Sequence, residues 1–460
     1  MIVQIALVSR LHSQSSHNEG CRGEFHHEDG LCLSEEMREE IIRTNITNIR
    51  KLKLDTQVSN NSRMLVLLDW PLRQANEFQD NDYYLITNFV DQNPASGSVR
   101  DYNCGTRTYD GHKGTDIVIW PFMWHKMNVN QVEVIAAQPG VIINKSDGNF
   151  DMNCQWVGTG NWNAVYIRHS DGSVAWYGHL KKGSLTTKSI GQSVSKGEYL
   201  GLVGSSGMSS APHLHFELYS NSTQTDLIDP FAGNCNTISG NTSWWSNQKP
   251  YYDPRLLNIM VHDCNSISQP DGCPANNYNI CENYYIKSGT KATFSAHFRQ
   301  QNNTLTASYT IRKPDNTIWK TWNSKPTTTY TYGSWWWWSY DIPTNGPYGT
   351  WYYEVTYNGE KVSKPFVVEN ITSTNETKYL SSFNIFPNPA SNIIYLNVDF
   401  VNKEKVTLEI NNNLGHSFIL NQYENNISDI IDISNLPGGV YQLVLTGSEF
   451  KIARRVVVIR

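Results

Sequence analysis

Charge is scarce in this chain. Asp, Glu, Lys and Arg make up 17% of its 460 residues, and the formal net charge is −5. That balance argues against nucleic acid or an anionic membrane surface as the main partner. Long apolar runs are missing: none approaches the ~20 residues needed to span a bilayer, so no membrane span is expected. A CxxC pair is missing as well. The eight cysteines, Cys21, Cys32, Cys104, Cys154, Cys235, Cys264, Cys273 and Cys281, are even in number and scattered. They fit disulfides better than a thiolate metal site, and the short spacings suggest Cys21/Cys32 and Cys273/Cys281 as pairs. The opening "MIVQIALVSRLHSQSS" has no basic residue ahead of its apolar stretch, which makes it a poor signal peptide. Later features demand export, so the true start is expected upstream.

Aromatic residues, by contrast, are plentiful: 12% of the chain, with 15 Trp and 25 Tyr. With abundant Asn, Ser and Thr, this reads as β-rich and extracellular. The length exceeds one ordinary core, so about three domains are expected. Residues 1–62 form an N-terminal segment with one helix, at 34–54. There Ser34 caps, acids lead, bases trail, and Met37, Ile41, Ile49 and Leu52 make a loose stripe. A pro-segment and a simple brace both fit, and the brace is preferred. Residues 63–254 alternate short strands with Gly/Asn/Ser turns, including the hairpin "NAVYIRHSDGSVAWYGHL" around Asp171-Gly172. The expectation is mainly β: a compact antiparallel sheet or barrel. Strand-length runs at regular spacing then predict an immunoglobulin-like β-sandwich over 255–368. Its run Trp335 to Trp338 would put two indoles in and two out, as core and edge packing or as a wall-binding platform. Residues 369–382 read as a linker, and 383–460 as a small C-terminal β-sandwich.

Three clusters carry chemistry. In "SSAPHLHFEL" (209–218), strand parity puts His213, His215 and Glu217 on one face and Leu214, Phe216 and Leu218 on the other. In "DGHKGTDIVIW" (110–120), His112 and Asp116 flank Gly114, whose freedom to take φ > 0 lets both side chains converge. In "WYGHL", His179 ends a hairpin strand. Catalytic zinc takes three protein ligands and leaves a position for water. His112, Asp116 and one histidine of the 213/215 pair would supply such a set. The remaining histidines would move protons or hold a developing oxyanion. Glu217 reads as a hydrogen-bond partner behind a ligand, His169 as structural, and "HHED" (26–29) as a solvated loop. Arg107 and Tyr109 are placed beside the first ligand.

In combination, "HKGTDI" (112–117), "VYIRHSDGSVAWYGHL" (165–180), "GQSVSKGEYLGLVGSSG" (191–207) and "PHLHFEL" (212–218) resemble the LytM/lysostaphin-type zinc metallopeptidases. The resemblance implies that His112, Asp116 and His215 bind one Zn2+ ion and that His179 and His213 are catalytic. It implies cleavage of peptide bonds in bacterial peptidoglycan, in cross-bridges or stem peptides. Some secreted members cut glycine-rich proteins such as elastin, which is one alternative. A surface adhesin with a structural zinc is another, and four ligands with no open position would favour it. The C-terminal "FNIFPNPASNIIYLNV", "ISNLPGGVYQLVLTG" and "KIARRVVVIR" resemble the sorting domain of the type nine secretion system. That likeness implies export across the outer membrane, to the medium or the cell surface, with the type nine machinery as a partner. A monomer is expected.

Overall fold

A strand with period-two alternation can bury both faces only if each face meets its own core. His213–Tyr219 does so: all seven residues are buried. Leu214, Phe216 and Leu218 enter a large apolar core with Ile117, Tyr177 and Trp245. The opposite face carries His213, His215, Glu217 and Tyr219 towards a second cluster with Trp162, Tyr166 and Trp176. The structure is a computed structural model. It describes residues 21–25, 32–55, 67–76, 78, 80–154, 160–263, 285–369, 379–386, 388, 390–412 and 417–458. The "HHED" stretch and the Cys273/Cys281 pair lie outside the described residues.

The fold is mainly β. The strands of the principal sheet are numbered in chain order: β1 (Tyr84–Asn88), β2 (Thr115–Ile119), β3 (Gly140–Ser146), β4 (Ala164–Arg168), β5 (Val174–Gly178), β6 (Ser193–Val194), β7 (His213–Tyr219) and β8 (Leu227–Ile228). They form an eight-stranded sheet in the order β1-β2-β7-β5-β4-β3-β6, with β8 paired to β7. Every pairing in it is antiparallel. The β4–β5 hairpin closes at the expected turn, where Gly172 has φ +93° and Asp171 accepts from the Ser173 amide at 2.9 Å.

Helix α1 (Glu35–Lys51) starts where Ser34 caps it, the hydroxyl accepting from the Met37 amide at 3.3 Å. Its Ile49 packs on the histidine-bearing side of the sheet with Leu33, Leu54, Trp162 and Trp176.

After the sheet come β9 (Arg255–His262), β10 (Lys291–Arg299) and β11 (Gly333–Asp341). With the short strand Cys21–Glu24, which pairs with β11, they make one four-stranded sheet of a sandwich whose other sheet is built from strands between Tyr285 and Glu369. The tryptophan run lies on β11. Trp336 and Trp338 enter the sandwich core. Trp335 enters the core of the block that carries the principal sheet, 5.9 Å from Trp120 between ring centroids, and Trp337 packs against that core. The indoles that point away from the sandwich are therefore covered by the neighbouring block. The wall-binding platform gives way to packing between the two.

Residues up to Glu369 form one compact unit and Asn370–Arg460 another. The second unit is itself a small sandwich: a three-stranded and a four-stranded sheet enclose Ile394, Leu396, Leu408, Ile410, Leu443 and Val456. Among the cysteines, Cys104 pairs with Cys235. Cys32 is free and buried, so the Cys21/Cys32 pairing is overturned. Its thiol is directed instead to the Tyr109 hydroxyl at 3.0 Å, beside the histidines.

Candidate metal centre

Register brings the first group of side chains together. Asn88, Asp116, His215 and Gly178 lie in one row across β1, β2, β7 and β5. Asn88 Nδ2 donates to Asp116 Oδ2 at 3.0 Å. His112 reaches the same point from the loop before β2. Its Nδ1 lies 2.7 Å from the Phe89 carbonyl oxygen. A carbonyl only accepts, so Nδ1 carries the proton and Nε2 offers a lone pair. His215 is oriented the other way round: its Nε2 faces Glu217 Oε1 at 2.8 Å, which leaves Nδ1 facing inward.

The inward atoms then oppose one another. His215 Nδ1 lies 2.8 Å from Asp116 Oδ1. His112 Nε2 lies 3.2 Å from Asp116 Oδ2 and 3.3 Å from His215 Nδ1. Three acceptors converge at one point, and only a cation reconciles them, a proton or a metal. The two-nitrogen, one-carboxylate set suits zinc. Carboxylate and carbonyl partners behind the ligating histidines are the usual support for such a site. Without an ion, protons take its place. Burial opposes charge on His112, but Asp116 outweighs it and raises the imidazole to about 9. Burial also pushes the Asp116 carboxyl up, but His112 and His215 hold it well below its usual range.

Two more imidazoles stand beside this point. His179 and His213 have ring centroids 4.3 Å apart. Their Nδ1 atoms face the carbonyls of Ser206 and Ala211 at 2.6 and 2.7 Å. Each therefore presents an Nε2 lone pair, and both Nε2 atoms are buried without a hydrogen-bond partner. His179 has φ +61°, a backbone conformation that side chains beyond Cβ seldom adopt. It turns the ring off the end of β5 into the site, where Trp162 packs edge-on at 5.0 Å.

Gly114 has a different reason from the one expected. It does not take a positive φ. A Cβ there would lie 2.6 Å from His215 Cε1 and 2.9 Å from the Phe216 carbonyl. The glycine is needed for close approach.

The structure thus brings His112, Asp116, His179, His213 and His215 together, each at most 2% exposed. Glu217 sits behind His215, as expected, and is clamped by the two terminal guanidinium nitrogens of Arg38 at 2.6 and 2.8 Å. Tyr109 packs against His112 with ring centroids 4.3 Å apart and the planes tilted by 34°. Arg107 is not at the site: it bonds the carbonyls of Ile86 and Tyr251 between aromatic rings. His169 is also remote, with Nδ1 against the Pro139 carbonyl at 2.8 Å.

One residue was missed. Cys32 Sγ and donor atoms of His112, Asp116 and His215 all lie within 4.8 Å of one another, and the same holds for Cys32 with His179 and His213. No local spacing signals it, because the nearest histidine of the cluster is 80 residues further on.

Residues 111–227 match the model of Peptidase family M23, and residues 384–459 match that of the Secretion system C-terminal sorting domain. Lysostaphin from Staphylococcus simulans is 36% identical over 106 residues, 20% of this chain and 21% of that protein. Glycyl-glycine endopeptidase ALE-1 from Staphylococcus capitis is 35% identical over 107 residues, 22% of this chain and 28% of that protein. The chain thus spans about a fifth to a quarter of the length of these curated relatives. The crystallised catalytic domain of lysostaphin from Staphylococcus simulans aligns with 34% of this chain and 96% of its own, at 21% identity and a TM-score of 0.19. The sorting domain marks the protein for export to the cell surface or the medium. With its clustered histidines inside the first match, the chain carries a Peptidase family M23 domain of the LytM/lysostaphin type, followed by a C-terminal secretion sorting domain.

Proposed function

We propose that this protein is a secreted zinc metalloendopeptidase that hydrolyses peptide bonds in bacterial peptidoglycan, in cross-bridges or stem peptides. The observation that carries the reading is the convergence of His112 Nε2, Asp116 and His215 Nδ1 beside the two partnerless Nε2 atoms of His179 and His213. When bound, zinc supplies Lewis acidity and brings the pKa of a bound water to about 7. The chain's own groups do the rest. One of His179 and His213, as the neutral ring, takes the water proton at Nε2 and delivers it to the leaving amine; the other, as the imidazolium protonated on both nitrogens, donates from Nε2 to the developing oxyanion. Phe89, Glu217, Ser206 and Ala211 hold the four rings in the tautomers this work needs. The name of one relative, Peptidoglycan DD-endopeptidase ShyC of Vibrio cholerae, supports a wall peptide as substrate, and that of another, a glycyl-glycine endopeptidase, supports a peptide bond as the one cut. Export would use the type nine secretion machinery, and the protein would act as a monomer with one zinc ion.

His213→Ala is expected to retain metal and to lose hydrolysis of purified walls by about 10²–10⁴-fold, the usual worth of a general acid or base. His215→Ala is expected to lose the metal itself. Mass spectrometry of the fragments released from defined peptidoglycans identifies the bond cut. Cleavage of elastin with intact walls would favour the protease for glycine-rich proteins instead. A second reading draws on Cys32: a fourth donor is what a structural zinc in an adhesin would have. That reading requires a metal-loaded protein that cuts neither substrate, whether or not Cys32 is present.

A further inference from the structure

We propose, resting on the peptidase reading above, that Cys32 is the fourth donor to the metal and that residues 32–55 hold the enzyme latent by lying along its substrate groove. Cys32 Sγ comes within 4.8 Å of the donors of His112, Asp116 and His215, and likewise of nitrogens of His179 and His213. It therefore stands between the metal triad and the two proton-handling rings, where the attacking water has to be. A thiolate is a good zinc ligand, and a site with four protein ligands is closed.

The rest of the segment covers what remains. Its helix crosses the face of the sheet that carries the histidines, and beside the apolar contacts of Ile49, Met37, Ile41, Ile42 and Leu52 its docking carries buried polar groups. Two of the three residues it buries are Arg38 and Asn45. Arg38 clamps Glu217 and also donates to the Tyr219 hydroxyl at 2.9 Å. Asn45 donates to Gln224 at 3.0 Å and accepts from Asn144 at 3.0 Å. Asn48 donates to the Ile143 carbonyl at 2.9 Å. The hydrogen-bonding groups under the helix can be vacated, because water or the amides of a bound peptide take over their partners, and the apolar side chains of an extended substrate would replace those of the helix. Trp162, Tyr166 and Trp176 beneath the helix would then flank an extended substrate. With the five site residues so deeply buried, no substrate reaches them until the segment moves.

Cobalt(II) loaded in place of zinc into the full chain reads the ligand directly, since a thiolate on cobalt gives an intense charge-transfer band. The band is expected in the unaltered chain and lost in Cys32→Ser, with one metal per chain in both. Wall hydrolysis by the zinc-loaded protein is expected to rise severalfold in Cys32→Ser. Asn45→Ala leaves the thiol and the Arg38–Glu217–His215 chain in place but loosens the helix, and is expected to weaken the band and raise hydrolysis together. An unaltered chain without the band overturns the ligand assignment, whatever its activity. A full chain that cuts walls as fast as both variants overturns the latency and leaves the peptidase reading standing. Metal-loaded forms that all fail to cut walls overturn the peptidase reading, and latency with it, while the band still reports on Cys32.

Discussion

At the residue scale, small geometric demands decide the chemistry. Gly114 is the clearest case, because His215 and the Phe216 carbonyl leave no room for a methyl group. Gly114→Ala is expected to displace the His215 ring and weaken zinc binding by about 10–100-fold, the scale for disturbing what orients a ligand. Titration calorimetry checks this, and an unchanged affinity would refute the close-approach argument. Asp229 offers a separate test in pH. It is buried, accepts from the Phe231 amide at 3.0 Å and from Gln92 at 2.7 Å, and burial pushes it up to about 7. An unfolded Asp titrates near 3.9, so between about 4 and 7 the folded state binds more protons. Its contribution is full at the acid end and is lost as pH rises through that window. Compared with Asp229→Asn, the unaltered protein is expected to show urea midpoints that fall more steeply with pH there. Parallel slopes would show that Asp229 does not titrate as described.

At the scale of elements, β7 and α1 make opposite lessons. The alternation of "HLHFELY" announced a strand with a chemical face and an apolar face, and both faces are as read. Such parity is local, a property of the extended backbone alone. Helix α1 was equally legible as a helix, from its cap, charges and stripe. Its docking was not. Arg38 and Asn45 look like solvated positions in sequence, yet they are buried because Glu217 and Gln224, each 179 residues away, wait beneath them. Arg38→Ala takes the guanidinium away from a buried Glu217 carboxylate that keeps only its hydrogen bonds to His215 and Tyr219, at 2.8 Å each, and so weakens the docking of the helix. Faster hydrogen exchange across the Glu35–Lys51 amides is the expected readout, with amides of β10 unaffected.

At the scale of the whole molecule, Trp335 joins the sandwich to the core beneath Trp120. Trp335→Ala is expected to cost about 3–5 kcal/mol, the range for emptying a large aromatic site. It should lower the melting temperature of the unit that ends at Glu369. The Asn370–Arg460 unit has its own core, so a chain ending at Glu369 is expected to bind zinc as the full chain does. A loss of zinc on that truncation would contradict the division into two units.

The sequence by itself determined the strand parity, the hairpin and the capped helix, which follow from backbone periodicity and turn chemistry between near neighbours; that His112, Asp116, His179, His213 and His215 form one centre was implied by the family resemblance of their motifs. Only the tertiary structure decided that Gly114 is there for space, that the tryptophan run is covered on both faces, and that Cys32 is a free thiol among the histidines rather than half of a disulfide. Each of these depends on which surfaces meet across long stretches of chain, 77 residues in the contact of Cys32 with Tyr109. No local pattern encodes such a meeting, because it is fixed by the packing of whole elements against one another.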